Sequence, residues 1–415
     1  MKVLVDIYRE NEFFFYENVN WIRVIATKAY DFSVKNYIKE ALRFFFFSYL
    51  EKEERQGDGV RVFVYSYRGR KRKDYDEIAD HYCEIDNKSD VIEYRFCFSF
   101  KKIFRKLRWF FLLYRKYKKK EIKHPAFFSL LIAQYVVYFR EISKKIMERK
   151  YRVVTTFCDT HDIENLFSQI AKSYNKTTVT LQHGQYVFWN REIPESEVYK
   201  NFVSDYLLAW GRATKEEFKK AGVNENKILC VGALKEFSKN TPLVYNNMKN
   251  VFGVILSGNV HKKSNIHLIE LANGISKKYK LKYILRLHPQ NSECIYKKEC
   301  DLKYLYRIVK GVENIDYVKQ VDFSLVYMTG VFVELLSLNS AILIYEDENL
   351  KDLFKLNGFC FSDIKGFEKI YGNFCIRKKE FLKEQYHYYS YFNERKNIKR
   401  NYIYAIQKIL EIGLD

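Results

Sequence analysis

Residues 251–289 read VFGVILSGNVHKKSNIHLIELANGISKKYKLKYILRLHP, and this stretch decides the fold. VFGVIL is a short apolar run closed by Ser257-Gly258, NIHLIELANGISKKY (265–279) repeats apolar residues at helical spacing, and LKYILRL (281–287) is a second run ending at His288-Pro289. Two strands joined by a helix that long run in the same direction, so the sheet they belong to is parallel.

The same punctuation extends both ways. Downstream, DFSLVYM (322–328) delivers the chain to Thr329-Gly330 and a helix through Leu338, and AILIYED (341–347) is a further strand. Upstream, residues 151–157, CDTHDIENLFSQIAKSYN (158–175) and TTVTLQ (177–182) form a second strand–helix–strand unit that ends at His183-Gly184. DYLLAWG (205–211), ATKEEFKKAGV (213–223) with Gly222 as its stop, and KILCVGA (227–233) continue it. Between the two series, EFSKNTPLVYNNMKN (236–250) is polar and non-periodic and reads as a linker. The expected organisation is a first α/β domain over 1–235, the linker over 236–250, a second α/β domain over 251–377, and helices over 378–415 that return to the first domain. In the first 150 residues, MKVLVDIY (1–8) and VRVFVYSY (60–67) read as strands, whereas 22–54 and 100–149 carry helical spacing.

Composition bounds the function. The chain has 415 residues, 47% apolar and 30% charged, which excludes a mostly disordered chain and suits two or three domains. A net charge of +21 favours anionic partners such as phosphate-bearing substrates, membrane surfaces or nucleic acid. The eight cysteines are scattered, with no CxxC pair and no histidine cluster at zinc-ligand spacing, so a reducing, cytoplasmic compartment is expected. The N-terminus meets charge within six residues, unlike a secretory leader. The apolar run AFFSLLIAQYVVYF (126–139) is shorter than the roughly 20 residues a membrane-crossing helix needs, and reads as a buried helix.

In open parallel sheets ligands bind beyond the carboxyl ends of the strands, where loops and helix N-termini converge. Those positions hold Asp159, His161 and Asp162; His183; Ser257 and Gly258; Arg286 and His288; Thr329 and Gly330. Thr329 and Gly330 open a helix whose backbone N–H groups suit a phosphate, and Glu334 one turn on suits ribose hydroxyls. His288 is held extended by Pro289, where its imidazole can neutralise a leaving phosphate, with Arg286 two residues earlier on the same strand face. Ser257-Gly258 is a tight turn that clears space for a ligand. His183 in the first domain suits a general base for an acceptor hydroxyl, with Asp159 or Asp162 as base, nucleophile or orienting carboxylate; Asp162 reads equally as a helix cap.

LQHG (181–184), LLAWG with KEEFKKAG and KILCVGA, LRLHP (285–289) and MTGVFVELL (328–336) together resemble GT-B glycosyltransferases, with two Rossmann-like domains facing across a cleft. Within that class the likeness is to bacterial capsule enzymes that use CMP-activated sialic acid or Kdo, and more distantly to the teichoic-acid CDP-glycerol glycerophosphotransferases. It covers roughly 150–350. The resemblance implies that His288 contacts the donor phosphate, that Thr329-Gly330 stands where the family carries a Ser-Ser pair, and that Glu334 binds ribose. It implies a metal-independent enzyme with no cofactor beyond the nucleotide-sugar donor. The HGTxxK pattern of the glycerophosphotransferases is missing, since Gln185, Tyr186 and Val187 follow His183-Gly184, and Cys158-Asp159-Thr160 is the nearest approach to the capsule enzymes' acid-acid-Gly motif.

KKIFRKLRWFFLLYRKYKKKEIK (101–123) holds eleven Lys or Arg and one acid, interleaved with aromatics. Such a helix suits either an anionic membrane surface or packing on the core with its lysines solvated. No nucleic-acid-binding signature accompanies it. The reading is therefore a cytoplasmic glycosyltransferase at the inner face of the membrane, moving a sugar, CMP-linked by preference, to a capsule or lipopolysaccharide glycan, free or lipid-linked. CDP-polyol phosphotransfer is the same-fold alternative, and non-enzymatic binding of an anionic polymer the alternative of another class.

Overall fold

The computed structural model describes residues 4–30, 32–67, 73–189, 192–235, 249–350, 356, 358–394 and 397–412. Most of the expected linker, 236–248, lies outside the described residues.

Two α/β sheets account for thirteen of the fifteen strands among the described residues. β1 (Phe15–Tyr16) and β2 (Val19–Asn20) form a small antiparallel ladder of their own. The first large sheet is built from β3 (Phe47–Arg55), β4 (Arg61–Tyr67), β5 (Asp90–Phe98), β6 (Val153–Thr156), β7 (Thr177–Leu181), β8 (Tyr206–Ala209) and β9 (Ile228–Cys230). Its order is β3-β5-β4-β6-β7-β8-β9, parallel throughout except for β3 at the edge. The second holds β10 (Val251–Ile255), β11 (Lys282–Arg286), β12 (Leu305–Val309), β13 (Ser324–Val326), β14 (Ile342–Tyr345) and β15 (Cys360–Phe361) in the order β12-β11-β10-β13-β14-β15, all parallel. Each order reverses once, between β4 and β6 and between β10 and β13, and a crevice opens at the strand ends on either side of such a reversal.

Two N-terminal expectations change. Residues 4–8 are a helix, Leu4–Tyr8, not a strand. Val5 and Tyr8, one turn apart, are its buried pair, and the next residue, Arg9, is anchored by ion pairs to Asp6 and Glu197. The helical spacing of 22–54 holds for Trp21–Ile25 and Val34–Phe46, after which Phe47–Arg55 becomes β3. Side chains there alternate across a pleat, and Glu51, Glu53 and Arg55 on this outer strand discourage pairing with another chain.

The apolar run near 126–139 forms the helix Pro125–Val136, buried from Phe127 to Val136, and it packs with Trp21–Ile25 over the helix Asp162–Ser173. Uniform hydrophobicity around a helix signals such all-round burial. No helix among the described residues is long and apolar enough to cross a membrane.

Of the last two helices, Lys378–Phe392 packs on the helices Val331–Ser337 and Ile364–Ile376 of the second domain and on Arg212–Lys220 of the first, and Ile398–Ile412 lies on the first sheet's side. Ile398–Ile412 buries Tyr402, Ala405, Ile406 and Ile409, spaced one helical face apart, against Phe63, Ile78 and Tyr82. The end of Lys378–Phe392 seats on Gly211, where an added Cβ would lie 2.6–2.8 Å from backbone atoms of Phe392 and Tyr391. Gly211→Ala must therefore displace backbone, and we expect a loss of about 1–3 kcal/mol, read as a lower urea midpoint at unchanged slope.

Candidate functional site

In the second sheet the order reversal brings the ends of β10, β11 and β13 together. Ser257 ends β10's extension. Its amide donates to Asn265 Oδ1 at 3.0 Å, its carbonyl accepts from Asn265 and Asn291 at 2.9 Å each, and its hydroxyl donates to the Met328 carbonyl. The Ser257 side chain is thereby buried and committed to joining the β10 and β13 loops, a different task from contacting a ligand. Beside it, a Cβ on Gly258 would lie 3.7 Å from His288 Nδ1 and Cε1 and 3.0 Å from Gln290 Oε1. A larger residue here would meet His288 at ordinary contact distance and press on the movable end of Gln290. His288 is half-buried, and its Nδ1 accepts from the Gln290 amide at 3.2 Å.

Thr329 and Gly330 precede the helix Val331–Ser337, whose seven residues give only a short dipole. Gly330 faces the first domain, since its Cβ would sit 3.7 Å from the Gln185 amide nitrogen. Trp189 stacks on His261 at 4.7 Å between centroids, so the loop after β7 closes against the second domain on two sides of the cleft.

Arg286 and Glu334 form a separate group. Arg286 donates to Asn314 Oδ1 and, at 2.9 Å, to the Val312 carbonyl, and its guanidinium lies 5.1 Å above the Tyr317 ring. Asn314 in turn donates to Glu334, which Lys235 approaches at 3.6 Å from the end of the first domain. Burial lowers the basicity of Arg286 and raises the Glu334 pKa above the ordinary carboxylate range. Glu334 is thus a shared anchor for Arg286's loop and Lys235, within reach of the cleft.

The first sheet separates the three acceptor-side candidates. Asp159 is buried, and one carboxylate oxygen accepts both the Val203 and Ser204 amides at 2.9 and 2.8 Å. Burial pushes its carboxyl up to about 6. It staples the loop before β8 and does not serve as a cleft nucleophile or base. Asp162, also buried, ion-pairs with Lys28 at 2.9 Å and accepts from Tyr135 at 2.7 Å and Thr27 at 3.1 Å. It is the first helical residue, with His161 as the cap. Asp162 lines a cavity of about 290 Å³ with Lys28, Lys39, Glu40, Arg43 and Tyr49. His183 instead meets His161 at 5.5 Å between ring centroids and Tyr75 at 5.2 Å, and its Nδ1 is 2.8 Å from the Tyr186 hydroxyl.

Sequence reading missed Cys158 as a neighbour of these histidines, although Cys158 and His161 stand three residues apart at one strand-to-helix turn. It also missed the asparagines 265, 291 and 314, which carry no motif and act only through long-range hydrogen bonds.

No protein-family model matches the chain, and no curated protein matches it. Among solved structures, the UDP-GlcNAc 2-epimerase of Neisseria meningitidis bound to UDP-GlcNAc is similar with a TM-score of 0.50 and 13% identity, over 84% of this chain and 99% of that one. A putative UDP-N-acetylglucosamine 2-epimerase from Listeria monocytogenes gives 0.51 and 11%, over 84% and 96%. The S. aureus protein MnaA, solved with UDP, gives 0.50 and 11%, over 85% and 96%. The fold is GT-B. At these identities the likeness concerns the architecture alone.

Asp159→Ala should cost about 1–3 kcal/mol in chemical unfolding, because two buried amides lose their acceptor. Asp159→Asn, which keeps one oxygen for both amides, should cost distinctly less; equal losses would contradict the stapling role.

Proposed function

We propose that this protein is a glycosyltransferase that moves a sugar from a nucleotide donor to a bacterial surface glycan. One observation carries the reading: Gly258 lies beside His288 past the end of β10, the Ser257 hydroxyl ties that loop to the Met328 carbonyl next to Thr329-Gly330, and Gly330 approaches Gln185 of the first domain. A site with a glycine for close approach, an imidazole beside it and backbone N–H groups at a helix start suits the diphosphate or monophosphate of a nucleotide. A CMP-linked donor is favoured by the LRLHP resemblance, and His183 of the first domain is assigned to the acceptor. CDP-polyol transfer uses the same donor geometry and is separated from sugar transfer by consumption of CDP-glycerol.

The test is a thermal-shift series with CMP, CDP, UDP, GDP and ADP. A ligand at 100 times its Kd adds about 2.7 kcal/mol to the native state. We expect CMP to give the largest shift, His288→Ala to abolish it, and His183→Ala to retain it while turnover collapses. A shift with UDP alone, and UDP-sugar turnover without acceptor, would replace transfer by epimerisation; no shift with any nucleotide would remove the reading.

A membrane-lying orientation belongs to the same proposal. The helix Ile103–Lys119 leaves Phe104 84%, Phe111 55% and Leu112 49% exposed, and Phe98 at the end of β5 and Phe100 just beyond it are 63% and 57% exposed. Exposed cations Arg108, Arg115, Lys116, Lys118 and Lys119 share that helix. Its whole charge is not available: Lys106 is buried, donates to the Phe44 and Phe47 carbonyls and is held down to about 8 by desolvation, and Lys102 pairs with Glu141. Aromatics that enter the acyl boundary beneath a cationic rim, each cation adding about 1 kcal/mol near anionic lipid, hold a protein at the surface. Sedimentation with phosphatidylglycerol-containing vesicles should exceed that with phosphatidylcholine alone, and F98S/F104S should weaken it at least tenfold.

A further inference from the structure

The loops that follow β6 and β7 place three soft or borderline donor groups together. The Cys158 sulfur and one ring nitrogen each of His161 and His183 all lie within 4.8 Å of one another. Parallel pairing of β6 with β7, from Val153↔Thr177 to Thr156↔Thr180, sets the two strand ends level and so brings residue 183 beside residues 158–161.

Each donor also has an orienting neighbour. Cys158 Sγ is 3.0 Å from Thr160 Oγ1, His161 Nδ1 is 3.7 Å from Glu164 Oε1, and His183 Nδ1 is 2.8 Å from the Tyr186 hydroxyl. Glu164 is itself fixed, accepting from the Ser66 amide and hydroxyl at 2.8 and 2.7 Å and from the Cys158 amide at 2.5 Å. In metal centres a ligating imidazole carries a second hydrogen-bond partner that holds the ring and its tautomer, as the Tyr186 hydroxyl does for His183, while Glu164 supplies His161 with a nearby negative charge. Glu164 is fully buried, and a nearby cation would offset the cost of that buried charge. One sulfur and two imidazoles select zinc and its tetrahedral relatives over magnesium or calcium, which take oxygen ligands.

We propose that Cys158, His161 and His183 bind a zinc-class divalent ion. Three protein ligands leave a fourth tetrahedral position for water or a substrate oxygen. Binding forms the sulfur–metal bond as the thiol proton passes to solvent, with no change of oxidation state. The site adjoins the reversal point of the first sheet, between β4 and β6. It shares no residue with the nucleotide site but takes His183, which as a ligand would hold the metal and not act as a free base; the measurement requires no nucleotide and no turnover, so failure of the metal site and failure of the nucleotide site are read separately.

The test is titration of the full-length protein, stripped of metal by chelator, with Co2+. We expect one equivalent to produce the visible bands of tetrahedral cobalt and a near-ultraviolet sulfur-to-cobalt charge-transfer band, both displaced by one equivalent of Zn2+. Cys158→Ser should remove the charge-transfer band, and His161→Gln should weaken binding at least tenfold. Cys294→Ser, at an exposed cysteine elsewhere, should leave the spectrum intact. Circular dichroism and the unfolding midpoint identify variants that fold, and only these are scored. Absence of the charge-transfer band in the parent protein, or its persistence in folded Cys158→Ser, would overturn the assignment.

Discussion

The second domain depends on a contact that only a missing side chain allows. Gly253 is the middle residue of β10, the strand at which the sheet order reverses, and a Cβ there would lie 2.0 Å from the Tyr317 hydroxyl and 2.8 Å from Ser324 Oγ. Because position 253 is bare, Tyr317 packs fully buried against the central strand. Its ring then supports the Arg286 guanidinium, Arg286 holds Asn314, and Asn314 holds Glu334. A close approach of backbone to aromatic ring in the core is thus transmitted through four side chains to the rim of the cleft. Such chains convey position well because packed interiors deform little.

The cleft divides its polar residues between scaffold and surface. Ser257, Asp159 and Arg286 spend their hydrogen-bonding capacity on neighbouring loops. Their burial explains why: a polar group removed from water must be satisfied internally, so its partners are fixed before any ligand arrives. His288, Gly258, Gly330 and His183 lie outside those staples, and they are the groups assigned to a ligand in the proposed function. Rigid supports beneath a small set of accessible groups is the arrangement that preorganised sites require.

The charge excess is likewise unevenly used. Lys28 and Arg43 face Asp162 and Glu40 around the first-domain cavity, and Lys106 is consumed by backbone carbonyls. The outer turns of Ile103–Lys119 keep their cations in solvent beside exposed phenylalanines. Net charge alone says little about a partner; its coincidence with exposed aromatic surface on one element is the informative feature.

The sequence by itself determined the alternation of strands and helices from residue 150 onward, and with it the two parallel sheets, because apolar runs of period two or continuous burial and helical runs of period 3.6 are local properties of the chain. It also determined which residues stand at strand ends, including His183, His288 and Thr329-Gly330. The first 150 residues were less legible: β3 carries charges at the sheet edge and pairs with β5 about 40 residues on, so its strand character comes from its partner and not from pattern. Tertiary structure alone decided that Asp159 and Asp162, three residues apart, serve different neighbours, and that Cys158 and His161 meet His183 from the next strand. The reason is geometric: sequence spacing fixes distance within one turn of helix or one strand, whereas the register between parallel strands, set by hydrogen bonds and packing along their whole length, fixes which strand ends share a site.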